Sequence, residues 1–335
     1  MKSHLLTLVV CLVMFGLVAV FTMILPSDSI GVVVGSSQQE TVSHEAVSVT
    51  SGESYLDRQW AIPRMMVPEA WQITSGDASI VIAVLDTGID RGHEDLEGKI
   101  IAEVNFTDSP TTNDVYGHGT HVAGIISAAN NSLGVVGLAH NCSLMNVKVA
   151  DDKGRCDTAV IVKGIRWAVK HDADVINMSL FATKPSSDLE KAVDYAWSQG
   201  VVVVGAAGNF LGDKPVYPAY FSNCIGVAAT DVNDNVVSWS SRGDWVDVGA
   251  PGLAIYSTLP GSTYNYMSGT SMATAHVSGV AGLLLTEVSD YSDNGFVNDE
   301  VRAAIESGCD ELGIKSIRGG RINAFESVAN LLPLN

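Results

Sequence analysis

Over residues 268–279 the chain reads S-G-T-S-M-A-T-A-H-V-S-G and leads into the apolar run GVAGLLL. Small residues in this density suit close helix packing. Ser271, however, sits where a glycine-containing loop meets a helix, so the first free backbone NH groups and the positive end of the helix dipole point towards it. A hydroxyl placed there suits attack on a carbonyl whose developing negative charge the helix end favours. Three other segments carry complementary groups. The run IVIAVLDTGID brings Asp86 to the end of a strand pattern. YGHGTHVAGIISAA places His118 and His121 three positions apart at the start of a helical pattern. That spacing suits a metal pair, but no HExxH glutamate or third ligand accompanies it, and the glycines flanking His118 suit close backbone approach. His121 is read as structural. AAGN ends in Asn209, an amide donor or a turn residue. Taken singly, each of these residues has an ordinary structural use. Together, Asp86, His118, Asn209 and Ser271 supply a carboxylate to orient an imidazole, a general base, an oxyanion donor and a hydroxyl nucleophile.

The elements that must position them follow from hydrophobic patterning. From Tyr55 onward, strand-like runs (SIVIAVLDTGI, CSLMNVKVA, DVINMSL, VVVVGAAG, CIGVAATD) alternate with longer segments, including helix patterns at 158–171 and 187–199. This alternation predicts an α/β fold whose mainly parallel sheet is covered on both faces. VVVV at 201–204 reads as a central strand, because a half-exposed strand would alternate with polar residues. Reactive residues in such sheets lie at the carboxyl ends of strands, where Asp86 falls. NDEVRAAIESG and RINAFESVANLL complete the C-terminal part, with no internal repeat or second domain visible.

The chain has 335 residues, with 19 basic against 37 acidic side chains and a net charge of −18, which repels phosphate backbones and argues against nucleic acid. Leu5 to Leu25 is uncharged and about as long as a bilayer span; Lys2 precedes it and Asp28, Glu40 and Glu45 follow, a bias that predicts export. Residues 1–29 are thus either a cleaved signal peptide or a membrane anchor, 30–52 a linker or short pro-segment interrupted by GVVVG, and 53–335 the catalytic domain. Cys142, Cys156, Cys224 and Cys309 allow three pairings or none; Cys11 lies in the apolar run.

The order Asp, His, Ser differs from that of trypsin-like enzymes and of α/β-hydrolases. The motifs DTGID, GHGTHVAG, DVINMSL, VVVVGAAGN, YPAYFSN, APG and SGTSMATAHVSG, in this order from about Tyr55 to the C-terminus, resemble the subtilases, and their thermitase-like members in particular. The resemblance implies a three-layer α/β/α subtilisin-like fold and an extracellular or cell-surface monomer that cleaves peptide bonds of protein or peptide substrates. It further implies that Asp86 orients His118, that His118 activates Ser271, and that Asn209 with the Ser271 NH binds the oxyanion. Substrate would lie between Gly154, Arg155 and Cys156 on one side and Ser179, Leu180 and Phe181 on the other, with Ala206, Ala207 and Gly208 forming a further wall. A structural Ca2+ is implied at the loop AANNSLGVVG, held by the Asn131 side chain, the carbonyls of Ala129, Leu133 and Val135, and Asp95, with Glu53 or Asp57 as a further acid. A second site near Asp108 and Asp114 is a weaker expectation.

Two positions depart from the family pattern. Ala275 stands where proline is usual; alanine is the better helix former, so Ser271 is expected to stay reactive. Phe181 stands where glycine is usual and is expected to fill or reroute the cleft, while Arg155 is weighed as a selector of acidic side chains. Members often carry a folded inhibitory prodomain, and here only a short segment separates the apolar run from Tyr55. A non-catalytic binding module on the same fold is the alternative reading.

Overall fold

The computed structural model describes residues 31–34, 54–311 and 317–331. The apolar run from Leu5 to Leu25 and Glu53 lie outside them. No helix among the described residues is long and apolar enough to cross a membrane.

The described elements begin with β1 (Gly31–Val34), the short helices α1 (Ala61–Arg64) and α2 (Val67–Ala70), β2 (Val81–Asp86), β3 (Ile100–Asn105) and α3 (His118–Ser127). There follow β4 (Ser143–Lys148), β5 (Arg155–Asp157), α4 (Thr158–Lys170), β6 (Val175–Met178), β7 (Leu180–Phe181), α5 (Ser187–Ser198), β8 (Val202–Ala206) and β9 (Ile225–Thr230). β10 (Val248–Pro251), β11 (Ile255–Leu259), β12 (Thr263–Met267), α6 (Thr270–Leu284), α7 (Asn298–Ser307), β13 (Cys309–Asp310), β14 (Arg321–Ile322) and α8 (Ala324–Ala329) complete it.

Among the described residues, nine strands form the central sheet in the order β13-β14-β10-β9-β8-β6-β2-β4-β3. Every pairing is parallel except β13 with β14. The continuous apolar runs read from the sequence are the inner strands, buried along their whole length. Their side chains alternate between two cores, as a period of two requires. Ile82 and Val84 of β2 join the core built with α3, α6, α7 and α8, whereas Val81, Ala83 and Leu85 join the core built with α4 and α5. The architecture is three-layer α/β/α.

α4 and α5 occupy the two predicted helical stretches, and the Ser186 hydroxyl caps α5 by accepting from Leu189 N. α6 runs unbroken through Ala275, and all of its residues from Thr270 to Leu284 are buried. Its small residues therefore serve packing as well as placing Ser271. DVINMSL divides after Met178: β6 stays in the central sheet, while β7 leaves it to pair with β1. Part of the stretch read as a linker is thus a strand. All four described cysteines are free thiols. Burial pushes the Cys142 thiol up to about 11 and Cys309 to about 12.

Candidate active site

Asp86 is the last residue of β2, and His118 opens α3. The two meet because α3 starts against the carboxyl end of that strand. Gly119 makes the approach possible: a Cβ there would fall 2.1 Å from Gly88 O and 3.0 Å from the Asp86 Cβ. Asp86 Oδ1 accepts from His118 Nδ1 at 2.7 Å, and both residues are fully buried. The opposite nitrogen, Nε2, is buried without a hydrogen-bond partner among the described residues. Burial disfavours the imidazolium, but the charge and hydrogen bond of Asp86, aided by Asp114, outweigh it and hold His118 above the usual histidine range.

Ser271 is the second residue of α6, which packs on α3. Its hydroxyl donates to Ser179 O at 3.1 Å, and the Ser179 hydroxyl donates to Ser271 O at 2.9 Å. The Ser271 hydroxyl therefore rests on the link between β6 and β7, not on the imidazole.

Asn209 follows β8. Its Oδ1 accepts from Thr270 N at 2.9 Å and from Thr270 Oγ1 at 3.0 Å, which fixes the amide so that Nδ2 faces the other way. A Cβ placed on Gly269 would lie 3.5 Å from Asn209 Nδ2 and 3.6 Å from Ser271 N. Both nitrogens thus lie near the backbone of Gly269 at the start of α6.

Two further residues pack around the Asp86–His118 pair in ways the sequence reading did not give: Lys148 was not singled out, and Asp114 was read differently. Lys148 is fully buried at the end of β4, in register with Asp86; its ammonium donates to Thr87 O and pairs with Asp152 at 3.0 Å. A lone lysine closing an apolar strand run was the available signal. Asp114, read as a weak calcium ligand, instead accepts from Thr87 Oγ1, Gly117 N, Thr120 N and Thr120 Oγ1. It is buried and satisfied by protein donors, so it braces the turn that presents His118. His121 is also buried, with Nε2 at 3.1 Å from Asn265 O, and burial pushes it down to about 3, so it is neutral.

Arg155 and Cys156 lie in β5, following Gly154; Leu180 and Phe181 form β7, following Ser179. Phe181 packs with Val216 and Ala219 and meets Phe210 edge-on at 5.1 Å. The exposed Arg155 guanidinium is already engaged by Asp151, at 2.9 and 2.6 Å. Ala206 and Ala207 are buried at the end of β8, beside Gly208.

In the calcium-like loop, buried Asp95 accepts from Val135 N at 2.8 Å and from Asn131 Nδ2 at 3.2 Å. Burial raises its carboxyl above the usual range against these neutral donors. The carbonyls of Ala129, Leu133 and Val135 accept no hydrogen bond from the described residues. Asn131 turns its side-chain oxygen to Leu133 N at 2.9 Å and its NH2 to Asp95. Asp57 is exposed. Among the described residues, no group of three or more His, Cys, Asp or Glu is arranged to hold a metal.

The subtilase family profile matches residues 77–318. Thermitase of Thermoactinomyces vulgaris is 44% identical over 278 residues, covering 82% of this chain and 97% of thermitase. The thermophilic serine proteinase of Bacillus sp. (strain AK1) is 43% identical over 77% of this chain and 64% of its own length. Subtilisin BL of Lederbergia lenta is 41% identical over 79% of this chain and 96% of its own. Together with the three-layer sheet and the site at its carboxyl edge, these likenesses define a serine endopeptidase. The chain belongs to the subtilase family, and its substrates are proteins or peptides.

Proposed function

We propose that the protein is an exported endopeptidase that hydrolyses peptide bonds through an acyl-enzyme on Ser271. The observation that carries this reading is the buried Asp86–His118 pair, whose Nε2 has no partner among the described residues; Asn209 Nδ2 and Ser271 N both lie near Gly269 at the start of α6, which packs on α3. Ser271 Oγ attacks the carbonyl carbon while His118 Nε2 takes its proton. Asp86 holds the imidazole in the tautomer that leaves Nε2 free to accept. Asn209 Nδ2 and Ser271 N receive the oxyanion. Collapse breaks the C–N bond, with the His118 proton passing to the amine, and water repeats the sequence to release the acid. Ser179, Leu180 and Phe181, the edge from Gly154 to Cys156, and the wall from Ala206 to Gly208 bind the acyl side of the substrate. Because Asp151 already engages Arg155, preference for acidic side chains is not part of this reading. Labelling with a fluorophosphonate tests it: modification should map to Ser271, and a folded, unlabelled chain would point to the binding-module alternative. Export rests on the uncharged N-terminal run and its flanking charges.

The acidic limb of the kcat/KM profile should lie above the ordinary histidine value. His118 must be neutral to accept a proton, and its raised pKa keeps it protonated to higher pH. Activity that persisted undiminished well below that range, measured with an uncharged amide substrate, would rule out His118 as the base.

The loop around Asp95 fits a calcium ion by donor type: one buried carboxylate and three free carbonyls, all oxygen. Asp95, Ala129, Leu133 and Val135 would hold it, and Asn131 would join once its amide turned. The ion would supply the positive charge that Asp95 now lacks. Chelation is expected to lower Tm by roughly 5–10 °C, since a ligand at about 100 times its Kd contributes about 2.7 kcal/mol. An unchanged melting curve in EGTA would remove calcium from the account.

A further inference from the structure

The walls Ser179–Phe181 and Ala206–Gly208, assigned above to substrate, both reach groups of the reaction. Ser179 O holds the Ser271 hydroxyl at 3.1 Å. Gly208, the residue before Asn209, donates its NH to Thr270 Oγ1 at 3.1 Å, one position from the nucleophile. The segment from Val216 to Ala219 spans the gap between these walls. On one side Tyr217 exchanges both main-chain hydrogen bonds with Ala182, the residue after β7, at 2.7 and 2.9 Å. On the other, a Cβ placed on Gly208 would lie 3.4 Å from each Val216 methyl, and one on Gly205 would lie 3.3 Å from Ala219 N and Cα. Val216 and Ala219 therefore floor the gap, and the Phe181 side chain packs on both. Exposed Phe210 meets that ring edge-on at 5.1 Å, with its carbonyl held by the Ser241 hydroxyl at 2.9 Å. Only 3% of Phe181 remains exposed. The space beside the nucleophile that a side chain of the acyl part would enter is already filled by this chain's own ring.

We propose that Phe181 restricts this peptidase to small residues, glycine, alanine or serine, on the acyl side of the cleaved bond. The inference rests on the peptidase reading and deepens it by naming the substrate class. Selection works by exclusion. Forcing a phenyl or isobutyl group into filled space displaces packed side chains and backbone, whereas a hydrogen or a methyl group leaves Phe181 where it is. A large residue also forfeits the burial that an open pocket would give it. For a phenyl group that burial corresponds to roughly 10- to 100-fold in kcat/KM.

Two p-nitroanilides that differ only in the residue before the cleaved bond, succinyl-Ala-Ala-Pro-Ala and succinyl-Ala-Ala-Pro-Phe, test this. The readout is the ratio of their kcat/KM values within one chain, in which every effect common to both substrates cancels. The full chain is expected to favour the alanine substrate by roughly 10- to 100-fold. Phe181→Ala should shift the ratio roughly tenfold or more towards phenylalanine, whereas Phe181→Leu, which keeps the floor covered, should stay near the parent ratio. The parent ratio needs no variant and is decisive by itself. Equal values, or a preference for phenylalanine, in a chain whose Ser271 reacts with a fluorophosphonate would overturn the inference and leave the peptidase reading standing. An unchanged ratio in Phe181→Ala, shown folded by circular dichroism, would overturn the assignment of selection to Phe181. Cleavage of neither substrate together with an unlabelled Ser271 would overturn the peptidase reading and the inference with it.

Discussion

Replacing Ser271 with alanine is expected to lower kcat on amide substrates by on the order of ten-thousandfold or more, with KM nearly unchanged. The structure argues that this is a loss of chemistry and not of fold. The hydroxyl makes a single hydrogen bond, to Ser179 O, and the reciprocal bond from the Ser179 hydroxyl ends on the Ser271 backbone and survives the substitution. Alanine is also the best helix former, and Ser271 lies within the first turn of a buried helix. The remaining activity should come from the oxyanion donors and from substrate binding. His118→Ala should cost about as much, and combining the two should add little, because a base without its nucleophile has nothing to activate. Losses that multiplied in the double variant would show that the two residues do not act as a unit.

Asn209→Leu is expected to reduce kcat by about 10²- to 10³-fold, or about 2.7–4 kcal/mol of transition-state stabilisation. The side chain is held by Thr270, whose NH and hydroxyl both donate to Oδ1, so Nδ2 is aimed without a binding partner having to arrange it. A donor aimed in advance at developing charge affects the transition state far more than the ground state. The substitution should therefore leave KM close to the parent value. A rise in KM at constant kcat would mean that Asn209 contacts bound substrate and not the oxyanion.

Much of this geometry was legible in the sequence, for physical reasons that differ by element. The inner strands announced themselves because burial on both faces forces uninterrupted apolar runs, as in VVVV before AAGN. α4 and α5 appeared at the predicted places because amphipathic spacing and, for α5, the Ser186 cap are local signals. Asp86, His118, Asn209 and Ser271 were singled out through residue type and motif order; their distances depended on chain segments far apart. Lys148 and Asp114 were missed as structural members of the site for that reason. Lys148 looks like a surface lysine until Thr87 and Asp152 close over it, and Asp114 looks like a solvated loop acid until Thr87 and Thr120 reach it. The GVVV segment gave a short strand signal inside a polar stretch, but its partners near residues 156 and 180 leave no trace in local pattern. Phe181 was visible as an unusual residue, yet its turn towards Val216 and Ala219 was set by packing alone.

The central sheet places β2, the earliest of its strands in the chain, between β6 and β4, so its middle closes only after distant later segments have arrived. Parallel pairing over such separations is slow to form, and a tightly packed sheet of this kind is slow to open. For a peptidase this sets up a race, because every incompletely folded copy is food for a finished one. Survival in its own company is governed by how seldom the sheet opens, not by the equilibrium margin between folded and unfolded chains. Refolding yield should consequently fall as the amount of active enzyme in the vessel rises, and recover when the finished molecules are inhibited.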